Sequence, residues 1–415
     1  MISCILAHLQ RKRNEKLTLS NSLWYNNAKF KHRRFTMKAD KQYIINLRRE
    51  FHQIPEIGFD LPKTLARVRQ ELETIGLPYT EAYGKSCIIA TLNEGVGNKT
   101  IAIRADMDAL PIQEETGLPF ASQHPGKMHA CGHDCHTAML LGTAKKLKEM
   151  EKEIKCCVKF VFQSAEEGPG GAKTICDDGF MDQVDMMIGC HIYPNKPTGT
   201  ISLNKTCQSA SSHGFRIYLN GKSAHVATPH AGVDAIAMAV RVYNDIQIMR
   251  ARELNPFDPV IIGIGEFHGG FANNVLCDQV MLHGTIRTHR NELDAHIYKR
   301  IEEIAHSVAQ DMGGSAVVET AKYYPVLIND SDVSDAIIRA AQSVVGSDKV
   351  CEMALTMGAE DFSYYTQYKP SAFFALGAMP ADGTSTPLHN GKMMINEDVL
   401  DIAPNVFIQF VLDNM

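Results

Sequence analysis

The chain has 415 residues, a formal charge of −5, 45% hydrophobic and 21% charged side chains, the balance of a globular protein too long for one core. No apolar run approaches the roughly 18–20 residues that a bilayer span requires. Residues 1–38 hold nine Lys/Arg and a single acid, Glu15, which leaves 33 basic against 46 acidic side chains in the rest; a body so acidic excludes a nucleic-acid binder by bulk charge.

Residues 1–36 are basic, lack periodicity and hold the one tryptophan, Trp24. The segment reads as sequence upstream of a true start at Met37 in preference to an organellar transit peptide, and it is set apart from the fold. Helical spacing of Tyr43, Ile44, Leu47 and Phe51 predicts a helix over 40–53, and a second follows near 62–75. Apolar strands are then expected at 87–92, 100–106, 156–163 and 184–191, with helices at 136–150 and 171–178 between them. Continuous apolar strands separated by helices imply an α/β fold, a mixed and mostly parallel sheet covered on both faces.

The pattern changes after 210. Strands at 215–219, 260–268, 280–288 and 316–323 alternate with helices at 233–254 and 292–311, the β-α-β-β-α-β order of a ferredoxin-like unit. A helix at 331–345, a strand at 371–376 and a helix at 397–413 return to the first style. The expected organisation is a metal-dependent catalytic domain from 37–210 and 324–415, interrupted at 211–323 by an inserted α+β lid or dimerisation domain.

Eleven cysteines occur without a C-x-x-C pair, which points to a reducing compartment, the cytoplasm. Ligands of such sheets bind beyond the carboxyl ends of the strands, and the chemically rich segments fall there. Cys131 and His133 flank Gly132 ahead of an apolar helix; alone they read equally as a helix-capping loop. Glu166 and Glu167 close a strand before the glycine turn GPGGA, and His191 closes another; alone these read as a solvated pair and a core histidine. Together a thiolate, imidazoles and adjacent carboxylates form a metal site with a base beside it. Cys131 as a nucleophile paired with His133 fails, because residues two apart on one loop rarely align for proton transfer. Asp106 and Asp108 end a strand nearby and suit either a strand-end role or orientation of a ligand imidazole. Arg287, ending a strand of the insertion, suits a substrate carboxylate or a surface ion pair. No dinucleotide or P-loop motif is present.

The series RADMDALP, MHACGHDCHT, FQSAEEGPGGA, GCHIYP, GKSAHVATPH, GTIRT, GAEDFSYY and PLHN runs in order over about residues 40–413. It closely resembles the dinuclear-metal amidohydrolase branch of the aminoacylase–carboxypeptidase metallopeptidases, which includes hippurate hydrolases, auxin-conjugate amidohydrolases and N-acetyl-diaminopimelate deacetylases. The resemblance implies Cys131, His133, Glu167, His191 and His389 as metal ligands and Glu166 as general base. It implies His225 as a helper to the oxyanion, arriving by domain closure or from a neighbouring subunit. Asn274, Arg287 and Glu360 are expected at the substrate, with Glu360 at the mouth of the cleft. Where the family usually shows Asn-Val-Ile-Pro, this chain continues from Asn274 through Val275 to Leu276 and Cys277; after His389 it has Asn390 and Gly391. The expected cofactors are two divalent ions, zinc, manganese or cobalt. The expected reaction is hydrolysis of the amide of a small N-acyl amino acid by metal-activated water, with a carboxypeptidase or dipeptidase as the alternative and an inactive metal-binding protein behind both. No nucleic acid or membrane is expected as a partner, and the insertion's helix face and edge strand suit a homodimer.

Overall fold

A computed structural model describes residues 38–415; the leader at 1–36 lies outside the described residues. Helix α1 (Lys41–His52) is capped by Asp40, whose side chain accepts the Tyr43 N–H, and buries Ile44, Leu47 and Phe51, the stripe its period dictates. Helix α2 (Pro62–Ile75) starts on its proline and stops at left-handed Gly76. Strands β1 (Tyr79–Thr80), β2 (Ile88–Leu92) and β3 (Thr100–Asp106) precede α3 (His133–Glu149). Then come β4 (Cys157–Gln163), α4 (Gly171–Asp177), β5 (Met186–Tyr193) and the short β6 (Ile201–Leu203).

The chain next builds a separate sheet from β7 (Ser212–Asn220), α5 (Ala235–Arg252), β8 (Val260–Gly269), β9 (Gln279–Thr288), α6 (Asn291–Asp311) and β10 (Ser315–Tyr324). It returns through α7 (Ser331–Val345), β11 (Val350–Glu352), β12 (Ser371–Gly377) and α8 (Ile402–Asn414) to the first sheet.

The larger sheet has the order β1-β2-β4-β3-β5-β12-β6-β11. Its centre, β4-β3-β5-β12, is parallel, while β2 and β6 join antiparallel. Alternate residues of each central strand feed opposite cores, which is why these strands read as unbroken apolar runs. Ile103, Phe160, Ile188 and Phe374 join the core with α1, α3, α7 and α8, and Ala102, Val161, Met187 and Phe373 join the core with α4. The smaller sheet, β10-β7-β9-β8, is wholly antiparallel. It keeps one face on α5 and α6, through Phe215, Leu282, Val242 and Ile301. Its β8 is an edge strand, largely exposed. Among the described residues no helix is long and apolar enough to cross a membrane.

Four differences from the sequence expectation have local causes. Helix α3 begins at His133 itself, because Gly132 takes a left-handed turn (φ 89°) that starts the helix early. Strand β5 runs two residues past His191, in parallel register with β12. Strands β6 and β11 have three residues each, too few to show a period. The last helix starts at Ile402, with a separate 3-10 turn at Glu397–Val399 before it.

The turn after β4 tolerates no added atom. A Cβ on Gly171 would sit 1.8 Å from the Ser164 carbonyl oxygen, and the Gly171 N–H closes the turn on Ala165 O at 3.1 Å. Gly171→Ala is therefore expected to cost about 3 kcal/mol, the upper end of overpacking, read as a lowered urea midpoint at unchanged slope.

Candidate metal centre and active site

Seven polar side chains converge where β3, β4 and β5 end. After β4 the chain turns through Ala165 in the left-handed region (φ 56°), a conformation that L-residues keep only when their surroundings impose it. Here Asp108, just past β3, imposes it: one carboxylate oxygen accepts the Glu166 N–H at 3.0 Å and the other the Glu167 N–H at 3.1 Å. His133, in the first turn of α3, places Nδ1 3.3 Å from Asp108 Oδ1. Gly132 lets that turn approach β5 closely, since a Cβ there would lie 2.7 Å from Ile192 Cδ1. Cys131 Sγ is 3.2 Å from His191 Nε2. His389, also left-handed (φ 61°), is pinned by its N–H to Ala130 O at 2.9 Å and sets Nε2 3.0 Å from Glu167 Oε1.

These donors form overlapping groups whose ligand atoms lie within 4.8 Å of one another: Cys131, His133 and His191; Cys131, Glu167 and His389; His133, Glu166 and Glu167. Sharing of Cys131 and Glu167 between groups is what two adjacent cations need. A cation also satisfies atoms the protein leaves bare, because both ring nitrogens of His133 are buried without a hydrogen bond. The donor set of sulfur, imidazole and carboxylate therefore fits divalent metals of the zinc, cobalt or manganese kind. Two further groups are already satisfied. His136 donates from Nδ1 to Asp106 Oδ1 at 2.6 Å and accepts the Ile192 N–H on Nε2 at 2.9 Å, so it bolts β5 to β3. Glu360 and Asp361 meet Arg104 at 3.1 and 2.7 Å.

Electrostatics separates the adjacent glutamates. Burial, then Glu360 and Glu167, push Glu166 well above the carboxylate range. Burial also opposes a charge on Glu167, but the bond to His389 and the nearness of His133 bring it below that range. One carboxyl is thus ready to hold a proton while its neighbour stays an anion, the division of labour of an acid–base residue beside a ligand. Burial disfavours charge on His133, yet Asp106, Asp108 and Glu167 hold its ring up to about 10; this cluster of anions demands positive charge. Burial and the same glutamates push the Cys131 thiol far up.

A cavity of about 620 Å³ opens over these groups and is lined by Cys131, Glu166, His191, Arg287, Glu360 and His389 among others. Arg287, half-buried, donates to Met357 O at 3.3 Å, and among the described residues no carboxylate pairs with it. Glu360 lines the cavity but is buried against Arg104, deeper than the mouth of the cleft. His225 and Asn274 do not line it. They sit side by side on the second sheet's loops, where Val226 N–H meets Asn274 O at 3.1 Å, and both are exposed. Sequence reasoning passed over the buried knot of Arg104 with Asp106, Asp361 and Gln163. A charge inside the apolar run of β3 is the signal that could have found it. Nothing in the sequence marked Tyr324, whose hydroxyl donates to the Glu166 carbonyl at 2.5 Å.

A cavity over paired cation positions, with a proton-holding carboxyl at its floor, defines a metal-dependent amidohydrolase. Residues 102–413 match the Peptidase family M20/M25/M40, and the chain belongs to that family. It is 35% identical over 363 residues to the IAA-amino acid hydrolase ILR1-like 4 of Arabidopsis thaliana, covering 86% of this chain and 82% of that protein. It is 34% identical over 368 residues to thermostable carboxypeptidase 1 of Saccharolobus solfataricus, covering 88% and 93%. The YXEP protein of Bacillus subtilis, a dinuclear metal binding peptidase of the M20 family, superposes with a TM-score of 0.77 at 30% identity, over 90% of this chain and 98% of that one.

A metal held by the His133 ring and the Cys131 thiol would have to displace the protons that both bind tightly in its absence, so its affinity would rise with pH. Between pH 6 and pH 8, chelator competition is expected to show about tenfold tighter binding per unit for each proton released.

Proposed function

We propose that this protein hydrolyses the amide bond of N-acyl amino acids, with two divalent metals held by Cys131, His133, Glu167, His191 and His389. The observation that carries the reading is the gathering of Cys131, His133, Glu167, His191 and His389 into overlapping groups of ligand atoms, with Glu166 beside them in the wall of one cavity. The IAA-amino acid hydrolase relative supports an acyl amino acid as substrate.

Metals in this site supply Lewis-acid polarisation of the scissile carbonyl and a lowered pKa for water. Glu166 takes the proton of the attacking water and delivers it to the departing amine nitrogen. Asp108 holds the Glu166 backbone still while this happens. Arg287, unpaired and half-buried in the cavity wall, forks the carboxylate of the substrate.

His225 donates to the carbonyl oxygen as charge builds there, and Asn274 accompanies it. Both lie on exposed loops of the second sheet, away from the cavity of their own chain, so they act on the cavity of a second copy. The pairing surface is the open β8 edge with α5, whose outer face exposes Ile236, Val240, Tyr243 and Ile248. A homodimer joined there through the 211–323 domain accounts for both features. The cytoplasm suits a chain whose cysteines among the described residues are all free. The carboxypeptidase relative keeps peptide substrates as the second reading.

On metal-loaded protein, Glu166→Gln is expected to lower kcat for N-acetyl and N-benzoyl amino acids about 10²–10⁴-fold while metal content stays that of the unaltered protein. Turnover of dipeptides alone would favour the second reading, and retained turnover in Glu166→Gln would remove the base. Mixed dimers of Glu166→Gln with His225→Ala chains should recover activity that neither homodimer shows. Failure to recover would place His225 in its own chain's site.

A further inference from the structure

Behind the metal-binding loop lies a buried ionic cluster that the reaction does not use. Arg48 and His52 stand one turn apart on α1, on one face. Both reach a single atom of Asp134, the residue after His133: Arg48 Nε is 2.8 Å and His52 Nδ1 2.7 Å from Asp134 Oδ2. All three side chains are at most 2% exposed. His52 Nε2 lies 3.3 Å from Glu114 Oε1, and Glu114 also accepts the Ser122 N–H at 2.6 Å and the Thr116 hydroxyl. Arg48 continues to Glu397 at 3.1 Å, and the ring of Phe120 covers its guanidinium at 5.0 Å.

Packing of α1 on α3 does not require these charges. Ile44 already seats against Gly142, where a Cβ would come within 2.4 Å of it. Buried ion pairs are a poor source of net stability compared with apolar residues of like volume, whereas they fix geometry. What they fix is specific. Between His129 and Asp134, Cys131 and His133 face the metal centre, and His129 is buried with neither ring nitrogen partnered. Asp134 is the side chain that holds the back of this segment.

We propose that Arg48 and His52, acting through Asp134, are positioning residues that set the first turn of α3 so that Cys131 and His133 meet the metals. The proposal rests on the reading of those two residues as ligands. By analogy with outer partners of metal ligands, their loss lowers metal affinity about 10–100-fold.

The experiment measures Co²⁺ affinity by chelator competition, with the thiolate-to-cobalt absorption band and the melting temperature of the metal-free protein alongside. It compares the unaltered protein with Asp134→Asn, with the apolar pair Arg48→Met/Asp134→Leu, and with Cys131→Ser. The expected result is a 10–100-fold loss of Co²⁺ affinity in Asp134→Asn and in the apolar pair, although the metal-free apolar pair melts within a few degrees of the unaltered protein. An apolar pair that melts normally and binds Co²⁺ with unchanged affinity overturns the proposal. If the apolar pair folds poorly, Arg48→Lys, which keeps the charge but not the fork, decides in its place: weakened Co²⁺ binding supports positioning and unchanged binding overturns it. Cys131→Ser separates the two readings, because an absorption band that survives that substitution rejects the ligand assignment itself.

Discussion

The site depends on one carboxylate. Asp108 accepts two successive backbone N–H groups, those of Glu166 and Glu167, and stands against His133. That double acceptor, together with the Gly170 and Gly171 N–H groups that close on Ala165 O, keeps the turn at Ala165 left-handed and gives the two neighbouring glutamates a fixed divergence. A charged acceptor with two donors is roughly twice as strong per bond as a neutral one. It also lies at the end of a parallel strand whose register with β4 is set residue by residue, Asp106 opposite Gln163. Sheet register is thereby converted into the angle between the Glu166 and Glu167 side chains.

The second constraint is an excess of buried negative charge. Asp106, Asp108, Glu166, Glu167, Glu360 and Asp361 crowd one region, and Arg104 neutralises part of it through contacts to Asp106, Glu360 and Asp361. The remainder holds the His133 ring protonated in the metal-free protein. Metal ions are the natural replacement for those protons, since they satisfy the same anions and the bare nitrogens together. Glu360 retains a carboxyl raised to about 8, chiefly by its burial, and so adds less repulsion to Glu166 than a full anion would.

Much of this was legible in the sequence because its signals were of two robust kinds. Long apolar strands between helices gave the larger sheet, and a change to alternating strands with long helices gave the smaller one with its helices in order. Glu166, Glu167 and His191 sat at strand ends, where side chains of any parallel sheet converge, and Cys131 stood at the mouth of a helix, so the four could be gathered from the sequence. What escaped were interactions set by tertiary approach alone. Tyr324 touches the Glu166 carbonyl across 158 residues of sequence, and Arg48 reaches Asp134 across 86. Strands β6 and β11, at three residues each, owe their existence to neighbours and not to any pattern of their own.

The way the second sheet is attached has a consequence for the chain as a whole. Its first and last strands, β7 and β10, are hydrogen-bonded to each other, with Ser212 opposite Tyr324 at the root. The chain therefore leaves the larger sheet and re-enters it at adjacent points, about one strand spacing, or ~5 Å, apart. Excising everything between them would leave two ends close enough for a few residues to join, with the eight-stranded sheet unsheared. The second sheet stays tied to the site beyond that root, through the Tyr324 hydroxyl on the Glu166 carbonyl and Arg287 on the Met357 carbonyl, so its far loops can change in length while the ends of β9 and β10 nearest the cavity cannot.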